Sequence, residues 1–294
     1  MHHANANRTT RCVAWRCVYP LTDIVAGIFA VLIFAIPAAA HGPLFSAGPE
    51  TIWKGGMEVT LGYHFQRDTG FGETIRHREV FLELEYGITS NWQIEAEIPY
   101  KWSEVDGLDS NGLGDITLGT KYQLFVQNLP GAQRKASVFF KTKLPTGNED
   151  NNPRIGSGST DFLAGLAVGH EGRRWYGFAD VRYRINTEGS GGLKKGNKLF
   201  LDVVGGIRPV LSEYDEPDMV LMLELNWEQA ERDELGGIAL TDSGGWQMFI
   251  SPVVWWTYRQ IAVKAGVQIP IAENLNGAQA SSDYRGLLEL VYHF

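Results

Sequence analysis

From residue 57 onward, apolar side chains recur at every second position, and a helical repeat is almost absent. Met57, Val59, Leu61, Tyr63 and Phe65 alternate with Glu58, Thr60, Gly62 and His64, and Val80, Leu82, Leu84 and Tyr86 alternate with Glu79, Phe81, Glu83 and Glu85. Continued to the end, this period predicts twelve strands, near 57–66, 78–87, 92–102, 114–125, 135–144, 160–170, 174–185, 198–209, 218–228, 245–256, 260–270 and 284–294. Most have the length at which a tilted strand crosses a bilayer. The gaps alternate too: every odd gap is longer than every even one, as in barrels with long external loops and short periplasmic turns.

One face of these strands carries Leu61, Leu82, Ile94, Leu118, Val138, Phe140, Leu166, Val181, Leu201, Val203, Leu223, Leu225, Ile250, Val263, Val267, Leu288 and Leu290, with no charge among them. A lysine or arginine facing mid-membrane lipid costs about 2–4 kcal/mol, so this is the pattern expected of a hydrocarbon-facing wall. Tyr86, Trp92, Trp102, Trp175, Trp227, Trp246, Trp256 and Tyr292 stand near strand ends, where interfacial aromatic girdles form. A soluble sandwich or ligand barrel also alternates, but needs fewer strands and turns its apolar face inward. The expected fold is therefore an all-β transmembrane antiparallel barrel of twelve strands over 57–294. The chain ends on Leu288, Leu290, Tyr292 and Phe294, an alternation up to a terminal phenylalanine that resembles the assembly signal of outer-membrane barrels.

Residues 1–40 differ from the rest. Arg8, Arg11 and Arg16 precede the apolar run Ile24–Ile36 and then Pro37-Ala38-Ala39-Ala40, the layout of a signal peptide cleaved after Ala40. The run is shorter than a membrane anchor requires. Residues 41–56 are expected to be a short periplasmic tail.

The 294 residues are 44% apolar and 12% aromatic, with a net charge of −8 and two cysteines. This excludes a disulfide scaffold, a disordered chain and a basic nucleic-acid surface. Both cysteines, Cys12 and Cys17, leave with the leader, and the remainder holds 23 basic and 33 acidic residues. A barrel of this kind has outer-membrane lipid, the barrel assembly machinery and a small solute as partners. No cofactor is expected.

The inward face is charged. Glu58, Glu79, Glu83, Glu85, Glu95, Glu97 and Glu289 form an acidic wall, and Lys121, Lys135, Lys141, Lys143, Arg182 and Arg184 a basic one. Opposed walls would set up a transverse field favouring polar solutes; equally, the charges could pair and fill a narrow lumen. Asp115, Asp161, Asp180 and Asp202 interrupt the basic wall. The longest loops, 145–159 and 229–244, are rich in turn formers, and the first could fold inward.

Two stretches go beyond pattern: Gly112-Leu113-Gly114-Asp115-Ile116-Thr117-Leu118-Gly119-Thr120-Lys121, and Lys143-Leu144-Pro145-Thr146-Gly147-Asn148 followed by Gly156-Ser157-Gly158-Ser159-Thr160-Asp161. They resemble the outer-membrane family associated with the MetA pathway of phenol degradation. The resemblance implies a bacterial outer-membrane transporter or channel, found beside aromatic-degradation genes, without naming its solute. Physically, Gly112, Gly114, Gly156 and Gly158 permit tight strand entry, and Asp115 and Asp161 could meet Lys121 or Lys143 across neighbouring strands.

Two alternatives were weighed. Asp109-Ser110-Asn111-Gly112 is similar to part of the signature of a twelve-stranded outer-membrane phospholipase family, but Leu108 stands where its histidine would be. A serine without a general base is not activated, so no catalytic residue is assigned and the chain is not expected to be an enzyme. His41, as a new N-terminus, could bind copper through its amine and imidazole, although a flexible tail is the plainer reading and no metal is assigned. The expected function is a channel passing small solutes, aromatic or other organic acids among them, through a narrow charge-lined lumen. A non-conducting structural barrel with a salt-bridged lumen is the main alternative.

Overall fold

A computed structural model describes residues 42–70, 72–212 and 216–294. The expected leader and His41 lie outside the described residues. Twelve antiparallel strands form the wall: β1 Met57–Gly70, β2 Glu73–Thr89, β3 Trp92–Val105, β4 in two pieces Leu108–Leu113 and Thr117–Leu129, β5 Ala132–Lys143, β6 Asp161–Gly172, β7 Trp175–Ile185, β8 Lys198–Ile207, β9 Asp218–Ala230, β10 Gly245–Tyr258, β11 Ile261–Leu275 and β12 Ser281–His293. Each pairs with its neighbours in sequence, and β1 also pairs with β12, setting Leu61 opposite Leu290. The ring is closed, so no strand edge is left to lipid. At the rim where β1 begins and β12 ends, Phe294 N donates to Met57 O (2.8 Å), extending the seam to the last residue.

The period-two pattern becomes a two-sided wall. Leu61, Leu118, Val203 and Leu223 are exposed on the outside, and their sequence neighbours Thr60, Asp202, Val204 and Glu224 are buried within. Exposed aromatics gather towards both rims, Tyr86, Trp92, Trp175 and Trp256 at the terminal rim and Tyr63, Tyr100, Tyr183 and Tyr284 at the opposite, loop rim.

The expected alternation of gap lengths is not what the strands show. Residues 106–107 alone join β3 to β4, through Asp106 (φ 51°) and Gly107 (φ 79°), a conformation that suits a two-residue hairpin. The β1–β2 hairpin likewise continues through Arg67 opposite Arg76 and Thr69 opposite Thr74. Backbone pairing carries on where both faces are polar, whereas apolar alternation marks only the stretch covered by lipid. On the terminal rim, residues 208–217 form a longer connection than expected, while 130–131 suffice between β4 and β5. The long loops that remain on the loop rim are 144–160, 186–197 and 231–244. Two of these are tied together by Leu193–Lys194 pairing with Glu234–Leu235.

Leu223 sits midway along β9 and faces outward. Replacing it by arginine is expected to lower the unfolding free energy in lipid vesicles by about 2–4 kcal/mol. Denaturant titration checks this; an unchanged midpoint would mean that this face does not meet hydrocarbon.

Candidate functional site

The expected periplasmic tail is instead a plug. Residues 42–52 run inside the barrel, with Leu44, Ser46, Glu50 and Ile52 buried. Glu224, fully buried on β9, receives Leu44 N (2.7 Å), Phe45 N (3.2 Å), Ser46 N (2.9 Å) and Ser46 Oγ (2.6 Å) on its carboxylate. Three successive amides cupped round one anion form a backbone nest, with charge-assisted hydrogen bonds stronger than neutral ones. Further along, Ala47 N donates to Asp180 Oδ2 (3.0 Å), Ile52 N to Gln93 Oε1 (2.8 Å), and Gln123 Nε2 and Ser137 Oγ both donate to Pro49 O. The segment then turns at the terminal rim, where Gly55 N donates to Gly87 O (2.7 Å). A Cβ on Gly87 would lie 2.0 Å from Trp53 O, so this close approach needs glycine.

The tail reading fails because 42–52 finds polar groups on the barrel wall for its backbone and an apolar surface for its side chains. Leu44 packs among Tyr176, Phe178, Val204, Val220, Met222 and Trp255, an apolar core inside the lumen with Phe45 beside it. The sequence did carry a signal for this core. Met219 to Leu223 and Pro252 to Trp256 are apolar without interruption, which in a strand means burial on both faces.

Beside the plug lies a charged cavity of about 550 Å³, lined by β1–β7 and by Lys264 of β11 and Glu289 of β12. All the predicted acidic-wall residues, Glu58, Glu79, Glu83, Glu85, Glu95, Glu97 and Glu289, line it, as do Lys121, Lys141, Lys143, Arg182 and Arg184. The two signs are paired more than opposed. Lys141 Nζ lies 2.5 Å from Glu95 and 3.6 Å from Glu83; Lys101 lies 3.1 Å from Glu79, and Lys264 3.3 Å from Glu289. Lys143 pairs with Asp161, and Arg182 with Asp180 and Asp202. Lys101 on β3 and Lys264 on β11 therefore stand inside the acidic sector. Glu83, Glu85 and Glu95 bring carboxylate oxygens within 4.8 Å of one another, and the Lys141 ammonium pairs with two of the three, Glu83 and Glu95. Lys135 does not line the cavity; it pairs with Glu171 (2.6 Å) beside the plug.

The glycine-rich stretches meet at the break in β4. Asp115 accepts from Gly147 N (2.9 Å), Ser157 N (2.9 Å) and Ser157 Oγ (2.6 Å), and Lys143 stands 3.7 Å away. Ile116 N donates to Thr146 Oγ1 (2.8 Å) and Leu144 N to Ile116 O (2.8 Å), so the loop supplies the bonds that the interrupted strand lacks. Gly147 and Gly156 cross so closely that a Cβ on Gly156 would meet Gly147 C at 2.5 Å. Gly112, Gly114, Pro145 and Gly158 belong to the same junction, and Asp161 accepts from Thr187 N (3.0 Å). The 145–159 loop is thus pinned to the wall by Asp115. Ser110 donates to Pro153 O, a further tie between β4 and the 145–159 loop.

The sequence profile of the family described as "Putative MetA-pathway of phenol degradation" matches residues 40–256. The chain belongs to this family. Among solved structures, an outer membrane channel of the COG4313 group from Pseudomonas putida F1 is 16% identical and superposes with a TM-score of 0.64, covering 86% of this chain and all of that one. The beta domain of the Bordetella autotransporter BrkA is 12% identical with a TM-score of 0.50, covering 82% of this chain and all of that one. At these identities the likeness speaks to the fold, a twelve-stranded barrel of outer-membrane type. No curated protein matches in sequence.

Replacing Glu224 by alanine removes the acceptor of the nest. The 42–52 segment is expected to lose amide hydrogen-exchange protection by roughly tenfold or more while the strands keep theirs. Equal protection in wild type and E224A would show that the apolar contacts alone hold the plug.

Glu50, on the plug, is a second control point. Burial first, and then the neighbouring Glu171 carboxylate, push its carboxyl up to about 8, against the pull of Lys135. The docked state therefore holds a proton that the released state, with an ordinary carboxyl, gives up. This contribution to docking is complete below the ordinary carboxylate range and is lost as pH rises through 8. Protection of 42–52 should accordingly fall between pH 5 and pH 9, and Glu50→Gln should flatten that dependence; a profile unchanged by the substitution would refute it.

Proposed function

We propose that this chain is an outer-membrane channel for small solutes, aromatic or other organic acids among them, held closed at rest by its own 42–52 segment. The observation that carries the reading is the plug's attachment. It is held by hydrogen bonds and side-chain packing, with no cysteine among the described residues, and it borders a 550 Å³ cavity lined by ionic side chains. A lumen meant only as a core would be filled throughout by packed apolar side chains, as it is where Leu44 meets Tyr176, Phe178, Val204, Val220, Met222 and Trp255. Membership in a family described by phenol degradation and the fold shared with a Pseudomonas outer membrane channel support the same reading. Export by the 1–40 leader completes it: cleavage after Ala40 leaves His41 as a free chain end, one residue before the described plug.

The paired charges favour a second reading, a structural barrel that never conducts. Losing one partner of a buried ion pair is costly, and Lys141 with Glu95 and Glu83 braces three strands. Planar-bilayer recording separates the two. Wild-type protein is expected to give small or rare conductance steps, and E224A steps at least several-fold more frequent or larger. Silence from both proteins, with no uptake defect in a deletion strain, would overturn the channel reading and leave the structural barrel.

A further inference from the structure

Most lumen cations have a carboxylate within ion-pair distance; among the described residues Lys121 on β4 does not, nor do two neighbours on the loop-rim side of β7 and β8. Arg184 and Lys198 are direct cross-strand partners, both facing inward. Like charges placed opposite one another in a ladder are destabilising, so a wall built only for stability would not set them there. Neither forms an ion pair with a side chain among the described residues. The adjacent carboxylates have closer partners: Asp161 pairs with Lys143 and Asp202 with Arg182, and Glu228, the acidic group that acts most strongly on Lys198, is bonded to Arg285 at 2.7 Å.

The guanidinium groups are also held in place. Arg182 Cζ lies 5.1 Å and Arg184 Cζ 5.5 Å from the centre of the Phe200 ring, which stands on β8 opposite Arg182 and one inward position from Lys198. Cation–π contact fixes the Arg184 plane without using its hydrogen-bond donors. Its fork therefore stays available, beside the Lys198 ammonium, and Arg184 lines the main cavity above the plug. Arginine presents paired donors matched to a carboxylate, and lysine adds a compact charge.

We infer that Arg184 and Lys198 form a binding site for a small organic carboxylate at the loop-side entrance to the lumen. The site selects the anionic form of a solute before it reaches the plug, and Phe200 holds the site open in the absence of ligand. As a step in permeation this rests on the channel reading. As a binding site it does not, and the two are measured separately.

Equilibrium dialysis of detergent-solubilised full-length protein with labelled benzoate tests binding, with benzyl alcohol as the neutral control. Benzoate is expected to bind and benzyl alcohol not. Arg184→Gln and Lys198→Gln should each weaken benzoate binding by roughly tenfold, the factor expected for loss of one charge-assisted contact. Arg184→Gln should be at least as heat-stable as wild type, because the like-charge pair is relieved. Benzoate affinity unchanged in both variants, or equal for benzyl alcohol and benzoate, would overturn the proposal. In bilayers, E224A is expected to favour anions over cations, and E224A with K198Q to lose part of that preference. Conductance without such a change removes the site's role in permeation, whereas absence of conductance with intact benzoate binding removes the channel and leaves the site.

Discussion

A strand that crosses hydrocarbon must satisfy every backbone amide and carbonyl within the protein, and closure of the ring is how this chain does so. The seam between β1 and β12 sets the number of strands, and that number sets the width of the lumen. Twelve strands enclose more space than their own inward side chains fill. What remains has to be packed, paired or left to water, and this lumen does all three in different sectors. Against β7–β12, Val204, Val220, Met222 and Trp255 build a core and the 42–52 segment completes it. Against β1–β6, carboxylates and ammonium groups pair across neighbouring strands and leave the cavity between them.

The plug could not rest on the apolar sector alone, because its own backbone groups would then be buried without partners. Glu224 resolves this by placing one carboxylate where three consecutive amides converge, and Gln93, Gln123, Ser137 and Asp180 serve the groups further along. These wall residues come from five different strands, so docking of 42–52 also couples strands that are not neighbours. A glutamate buried among apolar residues on an inner face costs desolvation unless it is fully bonded, so β9 and the plug depend on each other. The same logic governs the β4 break. The wall gives up regular pairing at 114–116, and Asp115 and Thr146 restore it through the loop.

Much of the barrel was legible in the sequence because lipid imposes a strict rule on one face. Residues such as Leu61, Val203 and Leu223 obey period two without exception, and that alone gives the strand count and the outward face. The strand ends were not legible in the same way: Arg67, Arg76 and Thr74 pair in the ladder, yet above the membrane no apolar requirement marks them. The inward placement of the charges followed from parity. Their pairing did not, since it depends on which residues lie opposite one another across strands distant in sequence, such as Lys264 and Glu289. The plug was missed for a related reason. Residues 42–52 have no period of their own, and their fit lies in wall residues far along the chain, Glu224 above all. The uninterrupted apolar run Met219–Leu223 was the available clue, an inner face prepared for something apolar.

Seen through these sectors, the location of the uncommitted cations has a physical logic. Beside the plug, Lys135 pairs with Glu171 and Arg182 with Asp180 and Asp202, where an ion without a partner would be desolvated on every side. Towards the loop rim the wall opens to water, and the cost of leaving Arg184 and Lys198 unpaired falls. An unpaired ion is therefore tolerable only where a solute could reach it. An anion that entered from the loop rim would meet Arg184 and Lys198 first, and would trade its water for protein on the way to the plug.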